Sequence, residues 1–109
     1  MKDHDYLGQF EQLVLFALMR LGENAYGMTV RREIEERAER PVSIGAVYAT
    51  LERLEAKRYV SSKEGPGGAE RGGNPKRFFK LEGLGRMALS RSQRQLQRMA
   101  DGLPMLEWI

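Results

Sequence analysis

The side chains that could carry chemistry are few in kind. The chain has one histidine, His4, and no cysteine. Thiolate zinc sites, cysteine nucleophiles, disulfides and multi-histidine metal sites are thereby excluded, and neither a metal nor a cofactor is expected. A serine–histidine–acid triad would have to recruit His4, close to a chain end where order is poorest. The carboxylates are scattered, with no nucleophile and base brought together, so the chain is expected not to be an enzyme. What remains is cationic: 18 lysines and arginines face 15 acids, for a net charge of +3. That excess permits an anionic partner without naming one.

The position of the cations is more informative than their number. Residues 1–42 hold 6 bases and 8 acids, residues 43–80 hold 8 and 4, and residues 81–109 hold 4 and 3. The middle stretch therefore carries the positive charge. It also holds five of the chain's 12 glycines, between Gly65 and Gly73. A glycine-rich basic segment suits phosphate binding, and it equally suits a solvated loop.

The elements that must position these cations follow from hydrophobic period. A chain of 109 residues, 41% of them hydrophobic, supports one domain with one core. Its longest apolar run, beginning at Leu13, is far short of the ~20 residues that span a bilayer, and no signal-peptide core is present, so a soluble cytoplasmic protein with no membrane partner is expected. Leu7, Phe10, Leu13, Val14, Ala17, Leu18 and Leu21 recur at three and four, predicting a core helix that ends near Gly22. Asn24 is placed to cap a second helix carrying Tyr26, Val30 and Ile34, which Pro41 stops. Ser43 is a good N-cap for a third.

In that third helix Ile44, Val47, Leu51 and Leu54 lie within about 80° of one another on a helical wheel, leaving Gly45, Ala46, Ala49 and Arg53 on the opposite face. Small residues let a backbone approach another surface closely, and Arg53 reaches further; a second helix packed on that side is the alternative. Beyond Lys57 the period shortens. Tyr59 to Glu64 and Lys76 to Leu81 read as strands joined by a long glycine-rich tip. From about Leu84 the chain is helical again, with Leu89, Leu96, Met99, Leu103 and Leu106 along a seam and Gly102 and Pro104 ending it. A small domain with its core already made needs something to cover that seam, and a second copy of the chain is the simplest cover.

Helix, helix, short turn, helix, strand, long basic loop and strand is the order of a winged helix-turn-helix. The expected fold is mainly α with a small β-hairpin: a winged helix-turn-helix domain over residues 1–82 and a C-terminal dimerisation helix with an apolar tail over 83–109. The sequence closely resembles the PadR-like transcriptional regulators. The matching stretches are Leu7-Gly8-Gln9-Phe10-Glu11 with Val14-Leu15, Ala25-Tyr26-Gly27, Val42 through Glu55, and Glu70-Arg71-Gly72-Gly73 followed by Lys76-Arg77. Arg58 stands where the family usually has glycine, and Glu82 where it usually has threonine.

The resemblance implies a homodimeric repressor that binds a palindromic double-stranded DNA operator, with the third helix in the major groove and the wing over the backbone or minor groove. Carried over by position, Ser43, Gly45, Ala46, Tyr48, Ala49, Thr50 and Arg53 face the DNA. Tyr26 and Gly27 resemble a segment that lies against its backbone, and Lys63, Arg71, Lys76 and Arg77 are the wing cations. For Tyr48 a phosphate contact through the hydroxyl and a purely structural role are both open. Leu89, Leu96, Met99, Leu103, Leu106 and Trp108 form the expected dimer interface. Some relatives hold an aromatic or cationic effector between wing domains and C-terminal helices; Trp108, Met99 and Met105 either line such a site here or only seal the dimer. A winged-helix module that docks proteins would instead carry an acidic or apolar recognition face, against which Arg53 and the basic wing argue.

Overall fold

A computed structural model describes residues 6–65 and 76–104. Helix α1 spans Gln9–Leu21, α2 Gly27–Arg37 and α3 Ile44–Ala56; strands β1 (Val60–Glu64) and β2 (Arg77–Leu81) follow, then α4 (Gly83–Ala100). Arg71, Leu106 and Trp108, with Met105 and His4, lie outside the described residues.

Each helix start has a local cause. At α1 the Glu11 carboxylate reaches back to the Gly8 amide at 2.9 Å. The cap of α2 differs from the expectation. Asn24 lies in a 3-10 turn, Gly22–Asn24, and the N-cap is Tyr26. The buried Thr29 hydroxyl accepts from the Tyr26 amide at 2.9 Å and donates to the Asn24 carbonyl at 2.6 Å, so it ties turn to helix. Helix α2 also stops at Arg37, before Pro41. Glu39 turns left-handed with φ 54°, and Arg40 precedes a proline, which disfavours helical backbone. Ser43 caps α3 as expected, its hydroxyl accepting from the Ala46 amide at 3.0 Å.

The end of α3 sets the wing. Arg58 has φ 65°, its amide donates to the Glu55 carbonyl, and the Tyr59 amide donates to the Leu54 carbonyl, each at 2.9 Å. This pair of bonds is a Schellman stop, in which the left-handed position ordinarily falls to glycine; arginine there costs on the order of 1 kcal/mol. β1 and β2 pair antiparallel from Val60 with Leu81 to Glu64 with Arg77. The segment before α2 joins them: Tyr26 bridges to Phe78, and the Phe79 amide donates to the Ala25 carbonyl at 2.8 Å. Wing and helix-turn-helix are thus one body around Val14, Leu15, Leu18, Val30, Val47, Leu51, Leu54, Val60 and Phe79.

Helix α4 begins on that body. Gly85 is so close to the turn after α3 that a Cβ there would lie 2.2 Å from the Tyr59 carbonyl oxygen. Further along, the buried Ser92 hydroxyl accepts from the Leu7 amide and donates to the Ala88 carbonyl, both at 2.9 Å. Gly85, Ala88, Leu89 and Ser92 thus lie on the core face of α4, and the residues from Gln93 to Ala100 are exposed.

Candidate nucleic-acid interface

Helix α3 separates its residues by size. Val47, Leu51 and Leu54 are buried, and Ser43, Gly45, Ala46, Ala49 and Arg53 are exposed along the other side. An α-helix presenting small residues can enter a groove without steric penalty, and the Arg53 fork can reach past them. Thr50, expected on the DNA face, is corrected: it is 2% exposed, and its hydroxyl accepts from Arg53 Nη2 at 3.1 Å. The signal was present in the sequence, since Thr50 lies only about 40° from Leu54 on the wheel.

Tyr48 and Gly27 form an interlock between α3 and the start of α2. A Cβ on Gly27 would fall 2.4 Å from both Cζ and Oη of Tyr48, so the phenol ring lies directly on the glycine. Gly27 is buried beneath that ring, which corrects its expected exposure to a nucleic-acid backbone, while Tyr48 remains partly exposed. Beside it, Tyr26 meets Phe78 edge to face at 5.3 Å between ring centroids, and the Lys76 ammonium lies 5.0 Å over the Tyr26 ring. Lys76 is thereby held at the junction of α2 and wing. Lys63 is opposite Phe78 in the hairpin and shares its face with Ser61 and Lys80. Lys80 is a wing cation that the sequence reading left out; strand alternation around Lys63 is the signal that finds it.

Arg77 departs most from expectation. Its Nη1 donates to Glu52 Oε2 at 2.9 Å, its Nη2 to Glu55 Oε1, and its Nε to Ser62 Oγ at 3.0 Å. The Glu52 hydrogen bond, with the negative charge of both carboxylates, raises its pKa above the ordinary arginine value against the opposing effect of burial. As a wing cation free for phosphate it is corrected, because both carboxylates already neutralise it.

The seam residues divide in two. Leu89 is 5% exposed within the protomer's own core and is removed from the expected dimer interface. Leu96 and Met99 are 58% and 75% exposed and continue the face of Ala88 and Ser92 at spacings of four and three; Leu103, 63% exposed, lies in the turn beyond α4. Among the described residues no three acids or histidines come together as a metal site, and no helix is long and apolar enough to cross a membrane.

This arrangement is a winged helix-turn-helix, and comparison with solved structures agrees. A PadR family transcription regulator from hypervirulent Clostridium difficile aligns with TM-score 0.70 and 21% identity, over 84% of this chain and 91% of that one. A PadR-like transcription factor from Bacteroides fragilis aligns with TM-score 0.72 and 23% identity over 84% of each chain. A winged-helix DNA-binding protein from STIV aligns with TM-score 0.69 and 17% identity, over 90% of this chain and 98% of that one. No curated protein sequence matches significantly. The family model described as transcriptional regulator PadR-like matches residues 15–91, and the chain belongs to that family. Its class is therefore a transcriptional regulator and not an enzyme.

Proposed function

We propose that this regulator is a cytoplasmic repressor that binds a palindromic double-stranded DNA operator as a homodimer. One observation carries the reading: the exposed face of α3 sets the small residues Gly45, Ala46 and Ala49 beside Tyr48, Glu52 and Arg53, while Val47, Leu51 and Leu54 are buried. Such a face has little to gain from a protein partner and fits the major groove. Lys76 and Lys63 on the wing supply phosphate contacts beside it, and Arg71, outside the described residues, is assigned the same role. The apolar stripe Leu96, Met99 and Leu103 supports the second copy, and a two-fold dimer reads two inverted half-sites. Release by a small aromatic or cationic effector is the remaining part of the proposal, with Met99 its described residue.

Selection of duplexes from a random-sequence pool, followed by anisotropy titrations at several salt concentrations, tests it. An inverted repeat is expected, and with six to ten phosphate contacts the slope of log K against log salt is expected at roughly −5 to −9. No enriched sequence, or a nearly flat slope, overturns the DNA reading and favours a protein-docking module. Thermal shifts of wild type and Met99→Ala with planar aromatic cations check the effector: a shift in wild type that the variant lacks is expected.

A further inference from the structure

Arg77 lies where the wing meets the recognition helix, and all three of its guanidinium nitrogens are engaged within the protomer. Nε donates to Ser62 on β1, while Nη1 and Nη2 donate to Glu52 and Glu55 on α3. Ser62 Oγ also donates to Glu55 Oε2 at 2.7 Å, which closes the cluster into a ring of contacts. The Arg77 Cζ rests 4.9 Å from the centroid of the Phe79 ring, and Phe79 is buried in the core. One planar fork is thereby fixed to a helix, to both strands and to the core at once. Three directed bonds define an orientation, which a single point charge does not.

The two carboxylates make this placement matter. Glu52 and Glu55 flank Arg53 on α3, and unneutralised acids there would repel phosphates beside the face that reads the groove. We infer that Arg77 is a positioning residue for DNA recognition: it holds both carboxylates of Glu52 and Glu55 against the wing, offsetting one of their two charges, and sets the angle between wing and α3, and it makes no phosphate contact of its own. The inference rests on the DNA-binding reading above.

The test uses the selected duplex and a shuffled duplex of the same composition. Wild type is titrated beside Arg77→Gln, Arg77→Lys, the Glu52→Gln/Glu55→Gln pair, and the pair combined with each Arg77 change. Arg77→Gln is expected to weaken the selected duplex about tenfold with its salt slope unchanged, since no phosphate partner is lost. Arg77→Lys is expected to fall nearly as far, because a single ammonium cannot take the place of the fork on both carboxylates and leaves one of them facing the phosphates. The Glu→Gln pair is expected to alter wild type less than about threefold and to recover most of the loss in either Arg77 background, the non-additivity of a coupled cluster. Circular dichroism and melting temperature confirm that each variant is folded, and if Arg77→Gln is not, the cycle through Arg77→Lys carries the same comparison. Wild-type binding by Arg77→Lys, a slope about 1 shallower in Arg77→Gln, or additive effects overturn the inference while leaving DNA binding intact. Failure of wild type to bind any selected duplex overturns the DNA reading, and the inference with it.

Discussion

Helices α3 and α4 are both amphipathic, yet they leave opposite things in water. α3 buries its large aliphatic residues within its own protomer and exposes glycine and alanine beside Tyr48 and Arg53; α4 buries Gly85, Ala88 and Ser92 and exposes Leu96 and Met99. An exposed face of small residues loses little by remaining hydrated, so it can wait for a polar groove. Large exposed apolar side chains on one stripe carry a standing hydrophobic penalty that only another apolar surface removes. The contrast assigns different classes of partner to two helices of one chain.

The largest expected effect breaks the α4 side of the contrast. Leu96→Asp would place a charge in the proposed dimer seam at a cost of several kcal/mol. Light scattering is expected to show the mass of one 12.5 kDa chain while circular dichroism remains native. Leu89→Asp, three residues before Ser92 on the buried face, is expected to unfold the protomer instead. If both variants simply remain folded dimers, the assignment of α4 to core and seam is wrong.

Gly85→Ala probes where α4 joins the body. Its Cβ would meet the Tyr59 carbonyl oxygen, a backbone atom that cannot rotate away, so a loss of about 1 to 3 kcal/mol is expected in denaturant unfolding. An unchanged midpoint would show that α4 can slide on the turn after α3.

On the α3 side the comparison is sharpened by Arg53→Ala. If the fork reads a guanine, the selected duplex is expected to weaken by about 1 to 3 kcal/mol, shuffled DNA much less, and preference at one base pair per half-site to flatten. Lys76→Ala is expected to weaken both duplexes alike and to make the salt slope about 1 shallower. Equal losses for Arg53→Ala on both duplexes would make it a backbone anchor and leave Gly45, Ala46, Ala49 and Ser43 to read shape. Because Arg53 is exposed, its melting temperature is expected to stay near that of wild type.

The smallest effect concerns the hinge between the two helices' surroundings. Arg58→Gly relieves a left-handed arginine and is expected to raise stability by at most about 1 kcal/mol, offset in part by the greater freedom of glycine in the unfolded chain. A fall in melting temperature would mean that the Arg58 side chain contributes more than its backbone costs.

Much of this was legible before any fold was known. The faces of α1 and α3, the Ser43 cap and the two strands all depend on residues within about four positions of each other, where period, size and capping chemistry act directly. The exposed face of α3 followed from the same rule, and so did the stripe on α4. The family resemblance added the wing's role and the operator, which no local rule supplies.

What the tertiary structure decided involves partners distant in the chain. Arg77 looked like one more wing cation until the hairpin brought it to Glu52 and Glu55, 25 and 22 residues away. Gly27 looked exposed until the Tyr48 ring lay on it, and Leu89 looked like seam until Ser92 bonded to Leu7, 85 residues earlier. Sequence alone determined the apolar face of each element, because helical and strand geometry impose that locally. Which of the exposed and half-exposed groups would be used up inside the protomer was decided only by packing. A charge or an apolar side chain is available to a partner only if no neighbour in the fold has already satisfied it.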